Sequence, residues 1–166
     1  MRDDGLYDIE ARIVDTKTYP YTEPYRGPRP PGSLVHDMAV RLSVDAELVV
    51  RDIEVVMPST PYPTCADSRA AFRGLIGVAI GAGWRKAVQQ CVGGNRGCTH
   101  VRELLFPMAT VAFQAIRGWP GDGPDAPALP QMPAGERPVF IDGCYAWAAD
   151  GEVVARLHPA HAVVRR

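Results

Sequence analysis

Where proline and glycine fall constrains this chain more than any other feature of it. Positions 20 to 33 hold Pro20, Pro24, Pro28, Pro30 and Pro31 with Gly27 and Gly32. Positions 118 to 138 hold Pro120, Pro124, Pro127, Pro130, Pro133 and Pro138 with Gly118, Gly121, Gly123 and Gly135. Proline gives no amide hydrogen to a strand ladder or a helix turn, so both stretches are expected to be loops, the second long enough to form a lid carrying Trp119. Regular structure is left to the segments around them.

In the first of those segments Tyr7, Ile9, Ala11 and Ile13 alternate with Asp8, Glu10 and Arg12, the pattern of a half-buried strand. Met38, Val40, Leu42 and Val44 alternate likewise, and the polar turn Asp45-Ala46-Glu47 leads into the β-branched run 48–57, which predicts an antiparallel hairpin. After Pro63, Asp67 or Ser68 is placed to cap a helix presenting Phe72, Leu75, Ile76, Ala79 and Ile80. A second helix presents Trp84, Ala87, Val88, Cys91 and Val92 and is expected to end on a left-handed Gly93. A third carries Val101, Leu104, Leu105, Met108, Ala112, Ala115 and Ile116, with a kink expected at Pro107. The runs 139–148 and 152–157, joined through Asp150-Gly151, read as a second hairpin. The expected fold is α+β: an antiparallel sheet of about five strands with three helices packed on one face, in a single domain over 1–166.

With 166 residues, 46% of them hydrophobic, the chain can fill one core. A formal net charge of −1 offers no footprint for a nucleic-acid backbone. There is no apolar run of membrane-spanning length, and Met1-Arg2-Asp3-Asp4-Gly5 lacks the layout of a signal peptide. These features predict a cytoplasmic protein with a small-molecule substrate and with neither nucleic acid nor membrane as partner. Four cysteines, Cys65, Cys91, Cys98 and Cys144, are too few for a disulfide scaffold.

Chemistry concentrates in Gly97-Cys98-Thr99-His100, between a glycine-rich loop and the third helix. A thiolate and an imidazole are good ligands for zinc, iron or copper, and Cys65 at a helix start and Cys144 in a strand add two thiols, so a transition metal, zinc or iron first, is the expected cofactor. Residues two apart on a helix point about 200° away from each other, so Cys98 and His100 can share one ion only if Cys98 still belongs to the loop. Without a metal, Cys98 at a helix start becomes a nucleophile with His100 as its base. His36 and Asp37 point to opposite faces of a strand, so only one of them is expected at the site. His36 or Glu103 would handle protons, although a helix glutamate beside Arg102 commonly pairs with it instead. Cys91, within an apolar stripe, reads as core, and His158 and His161 as surface.

His36-Asp37-Met38, Pro61-Tyr62-Pro63-Thr64-Cys65, Gly97-Cys98-Thr99-His100 with Glu103-Leu104-Leu105, and Asp142-Gly143-Cys144 together resemble a bacterial family known only as a domain of unknown function. The resemblance runs from about Gly5 to Pro159 and implies no activity. More remotely, the order of elements is similar to the iron–sulfur cluster assembly scaffolds, in which cysteines and a histidine hold zinc or a cluster. That resemblance implies Cys65 and the Cys98–His100 pair as ligands. The pair here is separated by Thr99 and reversed, the middle cysteine loop is missing, and Cys144 lies on an added hairpin.

The function expected from these residues is a small metal-dependent enzyme acting on an organic small molecule, with Cys65, Cys98, His100 and Cys144 around the ion. The alternatives are a non-enzymatic iron–sulfur or sulfur carrier and a metal-free cysteine enzyme using Cys98 and His100.

Overall fold

The computed structural model describes residues 1–117 and 135–164. These fall into two compact units, Met1–Asp125 and Ala126–Arg166. The expected lid and Trp119 lie outside the described residues.

In the first unit, β1 (Tyr7–Thr16), β4 (Leu34–Val44) and β5 (Val50–Ser59) form an antiparallel sheet in the order β1-β4-β5. The 20–33 stretch, expected as a loop, carries short extended pieces that pair. It contains a two-stranded ribbon of β2 (Tyr21–Glu23) and β3 (Gly27–Arg29), with Thr22 opposite Pro28. Proline is tolerated on a ribbon this short because every strand in it is an edge, and Gly27 turns the chain with a φ of 69°. Arg26 fastens the ribbon to the sheet: its guanidinium holds the buried Glu23 carboxylate and donates to Ser59 Oγ (2.7 Å) and to the carbonyls of Leu34 (3.2 Å) and Val35 (3.1 Å).

Three further elements complete the unit: a 3₁₀ segment (Pro63–Leu75), α1 (Trp84–Val92) and α2 (Thr99–Arg117). The core gathers Ile9, Met38, Val40, Leu42, Val44, Val50 and Ile53 from the sheet with Phe72, Leu75, Trp84, Val88, Val92, Val101, Leu105, Met108 and Ala112. α2 lies along β1 and β4. Pro107 stands inside α2 without ending it, and Trp84 Nε1 donates to the Leu105 carbonyl (3.1 Å) to tie α1 to α2.

The first expected helix stops early. Ser68 Oγ donates back to the Cys65 carbonyl (2.7 Å) instead of capping amide hydrogens, and residues beyond Leu75 turn to the sheet edge. The Gly77 amide donates to the Val50 carbonyl (2.8 Å), the Val50 amide to Val78 (3.0 Å) and the Ile80 amide to Leu48 (2.8 Å). Edge pairing thus claims the stretch where apolar spacing had suggested another helical turn, and Ile76 is left exposed. Gly93 has an ordinary φ of −77°, and the left-handed residue is Gly94 at 61°. Glycine is needed at 93 for space, because a Cβ there would sit 2.3 Å from the Gln89 carbonyl oxygen.

In the second unit the expected hairpin does not form. Successive turns close over residues 138–148, with Ile141 donating to Pro138, Gly143 to Phe140 and Trp147 to Cys144. Asp142, at φ 64°, accepts from the Ala149 amide (2.9 Å) and is held by Arg137. Asp150-Gly151 opens a helix rather than a strand turn: α3 runs Glu152–Leu157 from Gly151 as its cap. This unit has its own core of Ile141, Ala149 and Val154, with Phe140 and Trp147 packed against it. His158 is half-buried between Phe140 (5.4 Å) and Trp147 (5.7 Å), not a free surface residue.

The fold is therefore α+β, with five strands among the described residues, divided between a three-stranded and a two-stranded sheet. Among the described residues no helix is long and apolar enough to cross a membrane.

Candidate functional site

Register builds the site. Asp15 and His36 are directly opposite on β1 and β4, just before a register shift at Asp15/Thr16. Opposed residues of an antiparallel pair share a face, and the Asp15 carboxylate accepts from the His36 amide (2.7 Å) and meets His36 Nδ1 at 2.9 and 3.1 Å. A carboxylate on Nδ1 fixes the ring orientation. Burial works against the Asp15 charge, but these His36 contacts win and hold the carboxyl below its ordinary range.

Two residues along the same face of β4 stands Met38, fully buried. Asp37, between them, faces the other way and accepts from Arg12 Nε and Nη2, each at 2.7 Å. Of the His36–Asp37 pair, only His36 joins the cluster.

α2 supplies the other half. Cys98 precedes its first residue, and the Cys98 carbonyl accepts from the Arg102 amide (2.9 Å), so the cysteine occupies the cap position, at the end of the loop rather than on the helix. That frees it from the helical spacing that would separate its side chain from His100. Sγ lies 3.8 Å from His100 Nδ1 and 3.7 Å from Met38 Sδ. The His36 and His100 rings stack with centroids 4.0 Å apart and planes 37° apart. Burial first, then the neighbouring His36, hold His100 below the ordinary histidine value, with Asp15 pulling the other way. A run of successive contacts results: Asp15 to His36, His36 to His100, His100 to Cys98, and Cys98 to Met38. Cys98 and His100 are partly exposed.

Position 97 sets this geometry. A Cβ on Gly97 would lie 2.7 Å from Val92 Cβ and 2.8 Å from the Val92 carbonyl oxygen, so the loop passes α1 at a distance that only glycine permits.

The remaining expected residues lie elsewhere. Cys65 sits in the 3₁₀ segment, partly buried, its backbone bonded to Tyr62 and Ser68. Glu103 is exposed, and its carboxylate accepts two bonds from Arg102 (2.9 and 3.1 Å). Cys144 is exposed in the second unit, before the turn Tyr145–Trp147. Cys91 packs against the core and directs Sγ to the Gly74 carbonyl (3.3 Å). Among the described residues no group of three or more His, Cys, Asp or Glu is placed to hold one metal ion. The imidazoles meet through their ring faces, and His100 Nδ1 meets the Cys98 thiol. Within the first unit, Cys65, Cys98 and His100 are therefore not gathered into one zinc or iron site.

Asp15 and Met38 were not among the expected site residues. Met38 shares a strand face with His36 at a spacing of two, but that alternation marks it only as core. Asp15 carried no signal, because its place depends on how β1 registers against β4.

Residues 1–114 match the family model described as "Protein of unknown function (DUF2889)". The chain belongs to this family. All five members of the cluster lie inside the DUF2889 match, as do Cys65 and Glu103, whereas Cys144 lies beyond it. No curated protein and no solved structure matches the chain.

Proposed function

We propose that this DUF2889 chain is a thiol-dependent enzyme acting on an electrophilic organic small molecule, with Cys98 as nucleophile and His100 as its base. The observation that carries the reading is Cys98 Sγ at 3.8 Å from His100 Nδ1, with His100 stacked on a His36 that Asp15 anchors. Thiol beside imidazole, with the imidazole positioned by further groups, is the arrangement that activates a nucleophilic cysteine.

In the step, Sγ bonds to the electrophilic carbon while His100 Nδ1 takes the thiol proton, and the leaving group departs with that proton. His36, fixed by Asp15, supports the His100 ring through the step. The first intrahelical donor of α2 is the Arg102 amide, so the amides of Thr99 to Val101 have no acceptor within the helix and favour negative charge developing at its start.

Alkylation by iodoacetamide, followed by mass spectrometry, tests the reading. Cys98 is expected to react faster than the more exposed Cys144, and His100→Ala to slow Cys98 at least roughly tenfold while leaving Cys144 unchanged. Equal rates at the two thiols, or no change in His100→Ala, would sink it.

The metal-dependent reading takes Cys65, Cys98, His100 and Cys144 as zinc or iron ligands, and the iron–sulfur carrier reading takes Cys65 with the Cys98–His100 pair. Elemental analysis of protein purified without an affinity tag separates them from the thiol enzyme: about one zinc or iron per chain, lost in Cys98→Ser, would replace the nucleophile with a ligand.

A further inference from the structure

The proposed nucleophile does not account for Met38. A fully buried methionine usually serves packing alone, yet its Sδ lies 3.7 Å from Cys98 Sγ, which lies 3.8 Å from His100 Nδ1. From these distances we infer that Met38, Cys98 and His100 form a site for a single monovalent soft cation, Cu(I).

Ligand type comes first. Thiolate, thioether and imidazole together form a soft donor set, and thioether in particular selects Cu(I) over zinc, magnesium or calcium. The distances agree. With metal–sulfur near 2.3 Å and metal–nitrogen near 2.0 Å, a trigonal ion holds its donors about 3.7 to 4.0 Å apart. The sulfur–sulfur edge asks for about 4.0 Å and the sulfur–nitrogen edge for about 3.7 Å, and the measured 3.7 and 3.8 Å lie within about 0.3 Å of them, so each donor pair matches an ion with only small side-chain movement.

Access and rigidity also suit an ion. Met38 is fixed in the central strand and Cys98 at the start of α2, so two donors stand on elements packed into one core. Cys98 and His100 are partly exposed and give the route in. His100 in turn rests on His36, which Asp15 holds. Outer partners of this kind orient a ligating imidazole. The neutral thiol loses its proton to solvent as the sulfur takes the ion, and no electron is transferred.

The ion occupies the sulfur proposed above as the nucleophile, so at any moment the chain presents either a reactive thiol or the bound ion. The inference does not depend on the enzyme reading. Met38→Leu separates the two, because it removes a sulfur donor while leaving both Cys98 and His100 in the chain, and exchange of Met for Leu nearly conserves volume.

The test is an oxygen-free titration with Cu(I) against a chromophoric Cu(I) chelator, on full-length protein in which Cys65, Cys91 and Cys144 are replaced by serine or alanine so that Cys98 is the sole thiol. One ion per chain is expected. Met38→Leu and His100→Ala should each weaken it at least about tenfold, the scale on which even outer partners of a metal act. X-ray absorption should show two sulfurs and one nitrogen around copper. Wild-type affinity in Met38→Leu, or a copper shell with a single sulfur, would overturn the three-donor site. If Met38→Leu fails to fold, as judged by circular dichroism, His100→Ala and the absorption spectrum decide. Alkylation of copper-free Met38→Leu, with Cys98 still faster than Cys144, would show that loss of the ion site leaves the proposed nucleophile intact.

Discussion

Alanine at position 97 is expected to destabilise the first unit by roughly 2–3 kcal/mol and to abolish any reactivity advantage of Cys98, because the loop that places the thiol cannot accommodate a side chain there. The added Cβ would meet Val92 at its Cβ (2.7 Å), its carbonyl oxygen (2.8 Å) and its Cα (3.2 Å). Two of those three atoms are backbone at the end of α1, and Val92 is fully buried in the core, so no flexible side-chain end can move aside. The loop must yield, and Cys98 is the next residue. Urea unfolding gives the stability change, and iodoacetamide labelling gives the thiol rate in the same preparations. Gly81→Ala is the control, since a Cβ at 81 meets nothing within 4 Å; its effect is expected to stay within about 0.5 kcal/mol. If Gly97→Ala matches wild type in both measurements, close passage of the loop is not what positions Cys98.

The same position shows what sequence spacing does and does not convey. That Cys98 belongs to the loop and His100 to the helix was the condition for the pair to act together, and a run of glycines before a helical stripe is a local signal. Strand alternation is local as well, so Ile9, Met38, Val40, Leu42 and Val44 were recognisable as the buried face of the sheet. Asp15 was not. Its meeting with His36 depends on the pairing of β1 with β4 across the intervening ribbon, and a slip of one residue would have turned Asp15 to the opposite face. Met38 was visible only as core, because nothing in a strand's alternation distinguishes a methionine that packs from one whose sulfur lies beside a thiol.

The two misread segments share a cause. Residues 76–80 continue a helical apolar spacing, yet their amides and carbonyls pair with Leu48 and Val50 at the sheet edge. In the second unit, Val139–Ala148 alternates like a strand but has no partner strand among the described residues, and its polar backbone is satisfied by turns instead. Periodicity describes which side chains can share a face; the available hydrogen-bond partners decide the backbone.

Asp45→Ala is expected to cost about 2–3 kcal/mol near neutral pH, since it would leave the Glu47 and Val49 amide hydrogens and the Arg51 guanidinium without their acceptor. Asp45 organises the turn from β4 to β5. Its Oδ1 accepts from the Glu47 amide (3.0 Å) and the Val49 amide (2.8 Å), Oδ2 accepts from Arg51 Nε (2.6 Å), and Leu48 within the turn is buried at a left-handed φ of 65°. Burial opposes the charge, but the Val49 amide and the Arg51 guanidinium prevail and hold the Asp45 carboxyl below its ordinary value. A carboxyl depressed in the folded state contributes its full stabilisation above the unfolded value, near 3.9, and loses it as pH falls through the folded value. Asp45→Asn keeps an oxygen for the two amides but places a donor against Arg51. The stability gap between wild type and Asp45→Asn is therefore expected to be widest above about pH 5 and to narrow below about pH 4. Urea unfolding across that range measures it. No gap at any pH would mean that the amide bonds, which asparagine keeps, and not the charge held by Arg51, are what Asp45 contributes to the turn.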